Sequence, residues 1–259
     1  MKRWWLVMLV VSQASAETRS FAERPDLPTD AVQSGTLFLT PDTRALQADD
    51  FANPGYLWVE RGEELFAEGE NSCSTCHAAS SEGALAGAAA RYPQFDAGED
   101  TLVNLEGRIN LCRQRYQQQP ALAYESQDLL ALAAYVTSLS RGLAKNVSIE
   151  GEAAAYFQMG RAYYFQRRGQ LNLACNQCHD DNWGKQLRGD TISQGHPSAW
   201  PAYRLEWQTF GSLHRRIRDC DSGVRAKPFP AGSEIYRSLE LYLAWRMRQL
   251  PLESPGIRR

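Results

Sequence analysis

The pentapeptides CSTCH, from Cys73 to His77, and CNQCH, from Cys175 to His179, constrain this chain more than any other feature. Both fit C-x-x-C-H, the pattern through which c-type haem is attached. Two thiols add to the porphyrin vinyl groups and the adjacent histidine becomes an axial iron ligand, so the short spacing is a geometric requirement. Structural zinc needs a second C-x-x-C or an H-x-x-x-H partner, and neither motif has one. Two short-range disulfides would use the same cysteines but leave the histidines unexplained. The expected cofactors are therefore two covalently bound haem c groups, held by Cys73 and Cys76 and by Cys175 and Cys178, with His77 and His179 on the irons.

Two cysteines remain. Cys112 follows His77 by 35 residues and Cys220 follows His179 by 41. GRINLCR around the first and RRIRDCD around the second share an Arg-Ile pair at the same approach to the cysteine. That is an internal repeat of about 100 residues, the mark of a duplicated domain rather than a solenoid. Each half closes with apolar residues at helical spacing: Leu129, Leu132, Ala133, Val136 and Leu139 before Gly142, then Ile235, Leu239, Tyr242, Leu243 and Leu250 before Pro251. The expected fold is mainly α, with two tandem class I cytochrome c-like domains related by internal duplication, at 57–145 and 146–259, joined near Lys145 to Ile149. Residues 17–56, rich in turn and polar residues, read as an irregular N-terminal extension wrapped on a domain or partly disordered.

Lys2 and Arg3, an apolar run from Trp4 to Val11 and the small residues Ala14-Ser15-Ala16 read as a signal peptide over 1–16, so export to the periplasm is expected. The run is too short to span a bilayer, and no later stretch is long and apolar enough for a membrane helix. Removing Lys2 and Arg3 takes the formal charge from -2 to -4, which argues against nucleic acid as a partner.

Each histidine-bound iron needs a sixth ligand or an open site. Between His77 and the second half there is neither Met nor a further His, leaving Cys112, Lys145 or water, with Cys112 the best of these. After His179 the candidates are His196, His214, Cys220 and Met247, and the repeat favours Cys220. A Cys112–Cys220 disulfide is the competing arrangement. His196 and His214 read more simply as helix caps or solvent-facing groups. Thiolate ligation favours ferric iron and a low potential, so both haems would be poor oxidants of ordinary donors.

From Arg204 to Lys227 there are six basic residues (Arg204, Arg215, Arg216, Arg218, Arg225, Lys227) against Glu206, Asp219 and Asp221. A basic stretch is usually a solvated face. Here it surrounds the leftover cysteine of a haem domain. On a helix over 213–220, Arg216 lies one turn before Cys220 on the same face. A guanidinium there lowers the thiol pKa and offers forked donors to an oxyanion. The first half has Arg108, Arg113 and Arg115 in the corresponding region.

Two C-x-x-C-H motifs, a lone cysteine in each half, RINLCR and the R-x-x-x-C arrangement of Arg216 and Cys220 together resemble the SoxA subunit of the SoxAX cytochromes of sulfur oxidation, from about Gly62 to Leu250. The resemblance implies an L-cysteine S-thiosulfotransferase that couples thiosulfate oxidatively to a cysteine of a SoxYZ-type carrier, in a heterodimer with a SoxX-type cytochrome subunit. It implies Cys112 as the second ligand of the first haem. It implies Cys220 as both ligand and catalytic residue, carried as a persulfide, and Arg216 as the substrate-binding arginine. Many relatives lack the first haem, whereas this chain keeps all its attachment residues. The competing functions are a dihaem thiosulfate dehydrogenase forming tetrathionate and a non-catalytic dihaem electron carrier. A dihaem peroxidase is the weakest reading, since nothing in the first half nominates a distal acid.

Overall fold

The computed structural model describes residues 26–77 and 85–259, so the expected leader lies outside the described residues. Thr40 starts the first helix: its hydroxyl accepts from the Thr43 amide at 3.3 Å, and Pro41 occupies the first helical position, where its missing N–H costs nothing. The result is α1 (Pro41–Ala48) inside a segment read from sequence as irregular. That reading is corrected because the cap and proline outweighed the low apolar content. The segment packs on the second half. Gln47 Oε1 accepts from the Ile257 amide at 3.0 Å, and Gln33 N donates to Gln194 Oε1 at 2.7 Å.

The chain then runs through α2 (Tyr56–Ala67), the single turn α3 (Cys73–Cys76), the hairpin β1 (Gln94–Asp96) and β2 (Thr101–Val103), α4 (Leu105–Tyr116) and α5 (Gln127–Ser138). A similar order recurs: α6 (Ala153–Phe165), the turn α7 (Cys175–His179), the small hairpin β3 (Gln186–Leu187) and β4 (Asp190–Thr191), strands β5 (Ala202–Arg204) and β6 (Thr209–Gly211), α8 (Leu213–Gly223) and α9 (Glu234–Arg246). A last strand, β7 (Gly256–Arg258), pairs parallel to β5. Among the described residues no helix is long and apolar enough to cross a membrane.

In each half the helix before the C-x-x-C-H turn crosses the helix that closes the half. A Cβ at Gly62 would lie 2.1 Å from the Ala131 carbonyl oxygen, and one at Gly160 would lie 1.9 Å from that of Ser238. Only glycine lets the two backbones approach so closely. This is the crossing of a cytochrome c fold, and it places each haem turn at one end of a rigid helix pair.

The apolar periodicity of the closing helices is realised in burial. Leu129, Leu130 and Leu132 are 2 % exposed or less, each worth about 1.5–3 kcal/mol of burial. Helix α9 stops at Arg246, short of Leu250. Pro251 disfavours helical backbone at the residue before it, and Gln249 turns to φ +75°. The halves are not loosely linked: Lys145 N donates to Leu250 O, Asn146 N donates to Ala90 O, and Trp58 of α2 stacks on Phe210 of β6 with ring centroids 5.3 Å apart.

Candidate functional site

The turn α7 follows α6 after a short loop that Gln177 closes by accepting from the Ala174 amide at 2.9 Å. Its last residue, His179, has Nδ1 2.8 Å from the Ser193 carbonyl oxygen. That bond assigns the Nδ1 proton and leaves Nε2 as the coordinating nitrogen. Gly195 forms a shelf under the ring: it has φ +74°, and a Cβ there would stand 2.9 Å from His179 Cγ. Beside the histidine, Asp180 accepts from Tyr164 Oη at 2.8 Å and is paired with Arg246.

Ser212 caps α8 by accepting from the Arg215 amide at 3.1 Å, and Cys220 is the eighth residue of that helix with Arg216 one turn before it. The Cys220 thiol lies within hydrogen-bonding reach of the His179 imidazole and close to Cys175 and Cys178. Burial pushes its pKa up, but the Arg216 charge and the His179 contact pull harder, bringing it down to about 7. Asp221, on the next helical position, is buried and accepts from Tyr163 Oη at 2.7 Å, Tyr236 Oη at 2.6 Å and Arg168 Nη1 at 2.8 Å. Sequence reasoning missed this anchor. An acid directly after the cysteine, on the opposite side of the helix from Arg216, was the available signal.

The first site repeats the plan with different electrostatics. Asn104 caps α4 by accepting from the Gly107 amide at 3.0 Å, and Cys112 is again the eighth residue, with Arg108 one turn before it. Cys112 is electrostatically coupled to Cys73 and Cys76. Burial raises the Cys112 pKa, and Arg108 does not reverse it. Arg108 Nη1 lies 3.0 Å from Asp96 Oδ2, so much of its charge is already neutralised. Cys73 Sγ accepts from Gln117 Nε2 at 3.4 Å, and His77 lies beside the Phe66 ring, centroids 6.2 Å apart.

All six cysteines are free thiols, and each lone cysteine neighbours the C-x-x-C-H turn of its own half, away from the arrangement a Cys112–Cys220 disulfide requires. The donor sets suit two covalent haem c groups: paired thiols, a histidine, and a further thiolate-capable cysteine at each site.

The other ligand candidates sit elsewhere. Lys145 is buried between the halves, donating to Ala89 O at 2.9 Å, and Met247 is fully buried against Ala89, Ala90 and Leu252. His196 and His214 are 5 % and 2 % exposed, which corrects their reading as solvent-facing. His196 reaches Gln194 Oε1, while His214 Nδ1 accepts from the Gly232 amide and Nε2 lies 3.0 Å from Glu240 Oε2. The N–H of Gly232 bonds one nitrogen of His214, and the Glu240 carboxylate stands beside the other.

A family model described as "SoxA/TsdA, cytochrome c domain" matches residues 61–144. The chain is 36% identical to "L-cysteine S-thiosulfotransferase subunit SoxA" of Rhodovulum sulfidophilum, covering 88% of this chain and 81% of that protein. It is also 36% identical to the protein of the same description from Pseudaminobacter salicylatoxidans, covering 96% and 88%. Among solved structures it superposes on "SoxXA from P. pantotrophus" with a TM-score of 0.83 at 34% identity, covering 88% of this chain and 87% of that one.

Proposed function

The chain belongs to the SoxA family of L-cysteine S-thiosulfotransferase subunits, and from that premise we propose how its residues divide the work. Membership makes it a c-type cytochrome with covalently bound haem c, acting as a transferase of sulfur oxidation that joins thiosulfate to cysteine. We assign two haems: one on Cys73, Cys76, His77 and Cys112, the other on Cys175, Cys178, His179 and Cys220. The duplicated domains extend over 57–145 and 146–259, and the protein works after export to the periplasm.

The single observation that carries the assignment of the active site is the meeting of Arg216, His179 and Cys220 at the second C-x-x-C-H turn. Cys220 is the catalytic residue and Arg216 binds substrate. Arg216 has no carboxylate partner among the described residues, so its fork is available to the sulfonate oxygens of thiosulfate. The outer sulfur of thiosulfate then bonds to the sulfur carried on Cys220, as thiolate or persulfide, and the two sulfur anions together give up two electrons. Haem c, when bound, supplies the one-electron acceptor chemistry for their departure. A deprotonated cysteine of a SoxYZ-type carrier next attacks the thiosulfate-derived sulfur. The bond to Cys220 breaks, the carrier leaves as a cysteine S-thiosulfonate, and Cys220 regains its anionic sulfur. The Asp221 contacts hold α8 in place, and Ser193 and Gly195 hold His179 in the orientation that faces Cys220.

The expected partners are a SoxX-type cytochrome subunit, supported by the likeness to SoxXA, and the carrier protein. The test is mass spectrometry of the carrier after incubation with thiosulfate, an electron acceptor and the holoprotein. A thiosulfate adduct on the carrier cysteine, absent without holoprotein and with Cys220→Ser, supports the assignment. Tetrathionate from the holoprotein alone, with no adduct when carrier is present, replaces it with a thiosulfate dehydrogenase.

A further inference from the structure

Arg204 is 2 % exposed and is not satisfied the way the equally buried Arg246 or the half-buried Arg168 is. Arg246 pairs with Asp180 and donates to Gln194 O at 3.2 Å, and Arg168 pairs with Asp221 at 2.8 Å and donates to Lys227 O at 3.3 Å. Arg204 instead holds one carboxylate, Glu206, whose side chain is 56% exposed, and its buried Nε–H has no hydrogen-bond partner. A buried N–H on a charged group without a protein acceptor leaves a donor open to an added anion.

The repeat shows what occupant is missing. Asp96 is the last residue of β1 and pairs with Thr101, three residues before the cap Asn104; Arg204 is the last residue of β5 and pairs with Thr209, three residues before the cap Ser212. The same position of the two halves therefore carries a carboxylate in one and a guanidinium in the other. In the first half that carboxylate neutralises Arg108, the arginine one turn before the cysteine. In the second half the same position carries a second positive charge instead of a carboxylate. Arg204 is close enough to Arg216, Asp219 and Cys220 to interact electrostatically with all three. Trp207 fixes this arrangement, with Arg204 4.8 Å and Arg215 4.2 Å from its ring and its Nε1 donating to Asp219 at 2.9 Å. Arg204 and Arg216 repel each other, and Glu206, on an exposed side chain, offsets that repulsion only in part.

We propose that Arg204 is a second substrate-binding arginine: its Nε–H and the fork of Arg216 clamp the sulfonate oxygens of thiosulfate from two sides, aiming the outer sulfur at Cys220. The clamp rests on the substrate reading above. A tetrahedral dianion matches two forked cations better than it matches one, and it supplies the negative charge that Asp96 supplies in the first half. Glu206 competes for the same guanidinium.

The test measures thiosulfate KM and the inhibition constant of sulfate, a tetrahedral dianion that donates no electrons, on holoprotein carrying Arg204→Lys, Arg216→Lys or Glu206→Gln. The clamp predicts that Arg204→Lys raises both constants about tenfold with kcat within about threefold, because the charge is kept and the fork is lost. Glu206→Gln, at an exposed side chain, should lower both by about threefold by releasing Arg204 to the anion. Unchanged constants in Arg204→Lys, with Arg216→Lys impaired, overturn the clamp and leave a single-arginine site. Unchanged constants in both lysine variants remove the substrate site itself from this pocket. Should Arg204→Lys fail to fold, Glu206→Gln decides alone, since a structural ion pair would lose thermal stability there without altering either constant.

Discussion

Cys112 and Cys220 stand at the eighth position of helices that are capped alike and begin at the same distance from a β-hairpin, yet their thiols are driven in opposite directions. Burial raises both. At Cys112 burial prevails, because Arg108 is shared with Asp96 and the Cys76 thiol adds its own repulsion. At Cys220 an arginine without a carboxylate partner and the neighbouring His179 bring the thiol down to about 7. The two sites share a set of cysteines and a histidine and differ in the charge set around the lone thiol.

The sharpest break in the comparison is removal of the thiols. Cys220→Ser should lower transfer to the carrier by about a thousandfold or more, the scale of losing a nucleophile. Cys112→Ser should change kcat less than about tenfold, and equal losses in steady-state assays would make the two sites equivalent. Next in size, Arg216→Ala should raise thiosulfate KM by about ten- to a hundredfold, about 1.4–2.8 kcal/mol, while the absorption spectrum of the haems stays as it was. A smaller effect sharpens the contrast from the other side. Asp96→Asn returns the Arg108 charge to Cys112, so under the proposed ligation of a first haem by Cys112 the pH at which that ligation is lost, followed by absorption or electron paramagnetic resonance, should fall by about one unit. No fall would mean that burial alone sets Cys112.

The smallest effect concerns another pair of equivalent positions, the second residues of α4 and α8, which are Glu106 and His214. Burial, then the like charge of Glu240, pushes Glu106 up to about 7, while His214 and the Glu106 backbone pull it down and Glu125 raises it further. Lys145 nearby is brought down to about 8, first by burial. A carboxyl whose folded pKa exceeds its unfolded value contributes stability that is complete below about 4.5 and is lost as pH rises through about 7. Glu106→Gln should therefore raise the Tm of the holoprotein by about 2–4 °C at pH 8, the equivalent of about 1 kcal/mol, and leave it unchanged at pH 4.5. Calorimetry at the two pH values checks the sign.

Much of this was legible in the sequence because it is local. The C-x-x-C-H turns carry their chemistry in five residues, and the closing helices announce themselves through Leu129 to Val136 and Ile235 to Leu243. The helix that brings Arg216 to Cys220 follows from i, i+4 spacing. Helix α1 was local too, in Thr40-Pro41-Asp42, but its polar faces hid it among turn residues. What stayed out of reach depends on contacts far along the chain. The Gly195 shelf meets His179 through a loop. The burial of His196 and His214 and the position of Lys145 come from how the halves pack. The equivalence of Asp96 and Arg204 appears only once each strand has found its partner, since the intervening segments differ in length.

Strand β7 has a consequence for the order in which the molecule is completed. It pairs with β5 more than fifty residues upstream; Gln47 of α1 then bonds its Ile257 amide, and Asn53, beyond the helix, donates from Nδ2 to Pro255 O just before the strand at 2.9 Å. A chain emerging from its N-terminus can form neither contact until residues 255–258 have arrived, by which time both attachment motifs are long out. The clasp of first against last segments is therefore among the last contacts that a growing chain can complete. In the finished protein slow exchange of the Ile257 amide, held by Gln47, should report whether that latch is closed.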